Sequence, residues 1–131
     1  MTVVLDTSAA FEIAFNRPNA ALYKDLLAKA ELVIAPELFQ SEAANVLWKY
    51  IKAGYIDEEN AILTMTLVYQ LIDEYSDIPD LAVESLHEAA RLNHPFYDMV
   101  FLVLARRNAA VLLTQDQRLK NLAAENGIKV L

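Results

Sequence analysis

Cysteine is absent from the chain, which excludes a disulfide framework and any thiolate metal site and suits a reducing compartment. Long apolar runs are missing too. The longest fall far short of a membrane span, and no basic segment leads into an apolar signal core. The expectation is a soluble cytoplasmic protein with no membrane association. Positive charge is scarce: 11 Lys and Arg stand against 18 Asp and Glu, for a net charge of −7. That is the wrong sign for general attraction to nucleic acid, so such a partner would need a local basic rim or cations that reverse the sign. Glycine is nearly absent. The only two, Gly54 and Gly127, fall where helices are expected to close.

What is present is a chain of 131 residues without an internal break in composition, long enough for one core and read as a single domain over 1–131. Its hydrophobic fraction of 56% exceeds the usual apolar share of about 45–50%, which hints that another chain covers part of its surface.

Val3 to Leu5 read as a buried strand, Thr7 to Ala14 as a helix, and NRPN at 16–19 as a break. Ala20 to Ala30 carry apolar residues at helical spacing, and Leu32 to Ala35 form a second buried strand. A long helix follows Pro36 and runs to about Ala53. Asp57, Glu58 and Glu59 open another, predicted to reach Glu74, with a short strand at 75–78 before Pro79. Asp80 to Asn93 are helical, His94–Pro95 is a break, and Tyr97 to Arg106 are helical and apolar nearly all round. Val111 to Thr114 make a strand, Gln117 to Asn126 a helix, and Ile128 to Leu131 a last strand. Short apolar strands alternating with helices predict an α/β fold whose parallel sheet is covered on both faces. Ligands of such sheets bind beyond the carboxyl ends of the strands, where strand order reverses.

Four acids stand out on that rule. Asp6 closes the first strand, and Asp116 follows VLLT with one residue between. Each also has a plainer reading as a helix N-cap. Asp98 opens the apolar helix, where the dipole alone could account for it, although burial makes an uncompensated carboxylate costly. Glu42 lies on the border of the stripe formed by Phe39, Ala43, Val46 and Tyr50, with Asn45 and Lys49 on its side. Alone it reads as a solvated helical glutamate. If the sheet gathers the four, their mutual repulsion calls for a proton or a cation. Mg²⁺ or Mn²⁺ suits an all-carboxylate donor set better than zinc does.

At these residues the chain resembles the PIN-domain nucleases, in particular the VapC-like toxins of type II toxin–antitoxin systems. The matching pieces are VVLDTSA, ELFQSEAANVLWKYIKAGYI, HPFYDMVFLVLA and LLTQDQRL, and they span essentially the whole chain. The resemblance implies a three-layer α/β/α sandwich around a mostly parallel sheet of four to five strands. It implies an endoribonuclease dependent on Mg²⁺ or Mn²⁺, with Asp6, Glu42 and Asp98 on the principal ion and Asp116 completing the cluster or holding a second. Thr114 would support the site through its hydroxyl, and Asn45 matches a recurrent polar neighbour of the glutamate. A homodimer and a cognate antitoxin laid over the 37–74 helical hairpin are also implied. The bulk of Met99, Val100 and Phe101, where the family carries small residues, is a departure.

Among the basic residues, Arg17 and Arg118 are the expected phosphate contacts, whereas His94 reads as a loop residue and His87 as a mid-helix one. Trp48 and Tyr50 read as core or interface. An aspartyl phosphotransferase would want a second Asp two residues after Asp6, where Ser8 stands. The remaining alternative is an interaction module that keeps the fold without the activity.

Overall fold

A computed structural model describes residues 1–131. Its elements are β1 (Thr2–Leu5), α1 (Thr7–Ala14), α2 (Ala20–Lys29), β2 (Leu32–Pro36), α3 (Leu38–Lys52) and α4 (Glu58–Tyr69). β3 (Glu74–Ser76), α5 (Ile78–Leu92), α6 (Phe96–Arg107), β4 (Val111–Leu113) and α7 (Gln117–Glu125) complete the chain. The four strands pair in parallel in the order β3-β2-β1-β4. The sheet grows from β1 through β2 to β3, then returns past β1 to place β4 on its other side. Right-handed crossovers therefore put the two runs of helices on opposite faces, and contacts follow that division: α1 packs with α2, α3 and α4, and α6 with α5 and α7. The expected three-layer α/β/α sandwich is the fold observed.

Burial follows the apolar pattern. Val3, Val4 and Leu5 are inaccessible in the middle of the sheet, and Met99 through Ala105 are all buried, as an apolar-all-round helix requires. α6 lies against β1, β2 and β4. It is held to α5 by an ionic strip in which Arg106 contacts Glu84 and Glu88 at 2.7 and 3.2 Å, and Arg107 contacts Glu84 at 2.7 Å.

Three boundaries depart from expectation. α4 stops at Tyr69 rather than Glu74, because Asp73 clamps the chain to β2: its N–H donates to Val33 O, and its carboxylate accepts from Val33 N, both at 2.8 Å. β3 consequently starts at Glu74. Pro79 lies inside the first turn of α5, where a missing N–H costs nothing. The expected strand at 128–131 is reduced to one bridge, Val130 with Leu112.

Candidate functional site

Strand order reverses about β1 and β4, and their carboxyl ends deliver Asp6 and, just beyond, Thr114 and Asp116. Asp6, Thr7, Ser8, Glu42, Asn45, Val46, Lys49, Asp98 and Asp116 line one cavity of about 300 Å³. The helical spacing of Glu42, Asn45 and Lys49 puts them on one face of α3. All four acids singled out in the sequence thus open into one space, together with Asn45.

Asp6 is the inner member. It is buried, and both of its oxygens are taken. Oδ1 accepts from the backbone N–H of Thr7 at 2.8 Å, while Oδ2 accepts from the hydroxyls of Ser8 and Thr114, each at 2.7 Å. Those hydroxyls are anchored in turn, because Ser8 Oγ accepts from Gln115 N at 2.9 Å and Thr114 Oγ1 from Asp116 N at 3.0 Å. Burial nevertheless raises the Asp6 carboxyl above its ordinary value, against these hydrogen bonds and with a further push from Asp98.

Glu42 is half-buried and accepts a long hydrogen bond from Thr7 Oγ1 at 3.3 Å. Burial, then the Asp6 carboxylate, and more weakly Asp98, push it up to about 7, while the Thr7 hydroxyl opposes the rise. Asp98, in the first turn of α6, does not cap that helix. Its Oδ2 lies 2.7 Å from His94 Nε2 instead. Asp116 stands outermost and does cap: its Oδ1 accepts from the N–H groups of Arg118 and Leu119 at 3.0 and 3.2 Å. The cap reading and the pocket reading of Asp116 therefore hold together.

Neither Arg17 nor Arg118, the expected phosphate contacts, lines this cavity. Arg17 donates to Tyr50 Oη at 2.6 Å and stacks over the rings of Phe15 and Tyr50. Arg118 reaches only Asn93 O, at 3.5 Å. The cation lining the pocket is Lys49. Ser8, read in the sequence only for what it excludes, proves to be a support of Asp6. His94, read as a loop residue, is buried against Asp98. Its only sequence signal is the His-to-Asp spacing of four across a helix start.

The donor set is oxygen only, and two of its carboxyls, Asp6 and Glu42, are raised by burial with a further push from neighbouring carboxylates, which is the condition a hard divalent cation relieves. No three His, Cys, Asp or Glu side chains stand close enough together to hold a metal ion as they are placed here. Mg²⁺ suits such an open arrangement, because it keeps several waters and is commonly held through one or two carboxylates.

Among known proteins, the family described as PIN domain matches residues 3–125. The chain is 30% identical to Ribonuclease VapC1 of Mycobacterium tuberculosis over 117 residues, 88% of this chain and 86% of that protein. The crystal structure of PAE2754 from Pyrobaculum aerophilum superimposes with a TM-score of 0.77 at 26% identity, covering 99% of this chain and 83% of that one. VapBC2 from Rickettsia felis, bound to a DNA fragment from its promoter, aligns at 15% identity over 100% of this chain and 98% of that one, with a TM-score of 0.71, a likeness of fold.

Proposed function

The chain belongs to the PIN-domain family, and from that premise we propose that it is a metal-dependent endoribonuclease, the toxin of a toxin–antitoxin pair. The observation that carries this reading is the convergence of Asp6, Glu42, Asp98 and Asp116 on one cavity, with burial and neighbouring charge raising the Asp6 and Glu42 carboxyls. The M. tuberculosis relative is named a ribonuclease, which supports RNA as the substrate.

Asp6, Glu42 and Asp98 would hold the principal Mg²⁺ or Mn²⁺, and Asp116, being outermost, would complete the cluster or hold a second ion. When bound, such an ion supplies a water of lowered pKa and neutralises charge on the phosphate. The protein's own part is orientation. Ser8 and Thr114 fix both the position and the acceptor state of Asp6. Without a cation, burial and the Asp6 carboxylate push the Glu42 carboxyl up to about 7, so it gains and loses its proton around neutral pH. Lys49 on the rim draws in the phosphate, and Asn45 is placed to hydrogen-bond a substrate or water. An acidic protein then meets RNA through one locally cationic site rather than through its overall field.

Partner and assembly complete the proposal. Trp48, Ile62, Leu63 and Leu67 are more than half exposed on the α3–α4 hairpin, and this is the surface we assign to the antitoxin, a reading supported by the VapBC complex among the fold's relatives. The protein acts in the cytoplasm as a homodimer on this reading. Cleavage of an RNA blocked at both ends, titrated with Mg²⁺ or Mn²⁺, tests the activity. Wild type should cut internally and Asp98→Asn should not; equal behaviour of the two would overturn the assignment.

A further inference from the structure

The four acids differ in what holds them. Asp6 accepts three hydrogen bonds, Glu42 accepts one from Thr7, and Asp116 is fixed by two backbone N–H groups. Asp98 has a single protein partner, His94.

The histidine is itself tightly placed. It follows Asn93, which ends α5 in the left-handed region at φ 50°, and precedes Pro95. Asparagine tolerates the first conformation, and proline keeps the preceding residue extended. The His94 N–H closes α5 by donating to Ala89 O at 3.1 Å. Its side chain is only 2% exposed, and Nδ1 is buried without a partner. An ionised carboxylate only accepts, so Nε2 carries the hydrogen toward Asp98. Oδ2 is thereby occupied, while Oδ1 keeps no protein partner in a residue that lines the cavity.

We propose that His94 is the positioning residue of the site: its Nε2–H holds Asp98 Oδ2 and selects the carboxylate orientation that leaves Oδ1 for the cation. The inference rests on the metal reading above. Partners of metal-binding carboxylates contribute about 10–100-fold to affinity by such orientation. The imidazole suits the task because its ring is rigid and its own backbone is constrained on both sides.

The test uses metal-free full-length protein titrated with Mn²⁺ by calorimetry, with thermal unfolding of each metal-free variant alongside. His94→Gln extends an amide N–H to about where Nε2 lies. His94→Asn matches Nδ1 and stops short of Asp98. We expect His94→Gln to bind Mn²⁺ nearly as wild type does, and His94→Asn to lose about 10–100-fold, although both replace the buried ring. Equal affinities for the two variants would overturn the positioning role, because a merely structural histidine would be missed alike in both. Asp98→Asn separates the premises. If it weakens Mn²⁺ binding while the two His94 variants agree, only this inference falls; if it binds as wild type does, the metal reading falls and takes this one with it.

Discussion

Thr114 Oγ1 donates to Asp6 Oδ2 at 2.7 Å, joining residues 108 positions apart at the ends of adjacent strands. The same oxygen accepts the N–H of Asp116, so one hydroxyl ties the innermost acid to the outermost. The parallel pairing of β1 with β4, in the register Leu5 with Leu113, creates that contact by setting the following residues side by side.

Thr114→Val removes the donor to Asp6 and the acceptor for Asp116 N while keeping the volume. Asp6 Oδ2 keeps the Ser8 hydroxyl, so the Asp116 N–H is the group left without its partner, at a cost of about 1–3 kcal/mol. Urea unfolding should show a loss of that order, and Mn²⁺-dependent cleavage should fall with it.

The metal-free protein should lose stability as pH rises. Glu42 has a folded pKa of about 7 against 4.5 ordinarily, so between these values the folded state binds more protons than the unfolded one. Stability is then greatest below about pH 4.5 as far as this group is concerned, and falls as pH climbs through 7. Glu42→Gln should reduce that slope in thermal melts from pH 5 to 8, leaving the part that the raised Asp6 carboxyl contributes. Mn²⁺ at a hundred times its Kd should stabilise wild type by about 2.7 kcal/mol at pH 8, and the same concentration should stabilise it less at pH 5.5.

Substitution of the acids should rank by depth. Asp6→Asn, Glu42→Gln and Asp98→Asn should each lower kcat/KM on the order of 10²–10³-fold, the scale for losing stabilisation of transition-state charge. Asp116→Asn should cost less, because Asp116 stands outside the repelling trio. Chelation by EDTA should abolish internal cleavage of the end-blocked RNA.

Lys49 rather than Arg17 should carry the phosphate interaction. Lys49→Ala should raise KM and flatten the log–log salt dependence by about 0.7, the value for one contact to a single strand. Arg17→Ala should leave KM close to the parent, since that guanidinium is occupied by Tyr50.

Trp48 is the only tryptophan and is 54% exposed beside Leu47, Ile51 and Ile62. Binding of the antitoxin should shift its fluorescence to the blue. Trp48→Ala should weaken the complex by about 2 kcal/mol, the scale of an interface hot spot, as read by calorimetry.

Much of the framework was legible before any coordinates. Asp6 and Asp116 could be placed at strand ends because an apolar run broken by an acid is a local signal, and the burial of α6 followed from its lack of a polar face. The His94–Asp98 pair was not legible in the same way. A His–Pro dipeptide reads as an exposed turn, and only the packing of α5 against α6 buries it. The end of α4 was missed because Asp73 leaves the helical pattern for a partner, Val33, that lies forty positions away. The contact of Arg17 with Tyr50 was not legible either, because its aromatic partner comes from another helix.

By itself the sequence determined the order of elements, the layers and the strand-end positions of Asp6 and Asp116, since hydrophobic period and chain punctuation act over a few residues. Only tertiary structure decided which hydroxyl holds Asp6, which ring holds Asp98 and which cation faces the cavity. Those choices rest on contacts between distant segments, where hydrogen-bond distance and exclusion of water, rather than local pattern, set the free energy.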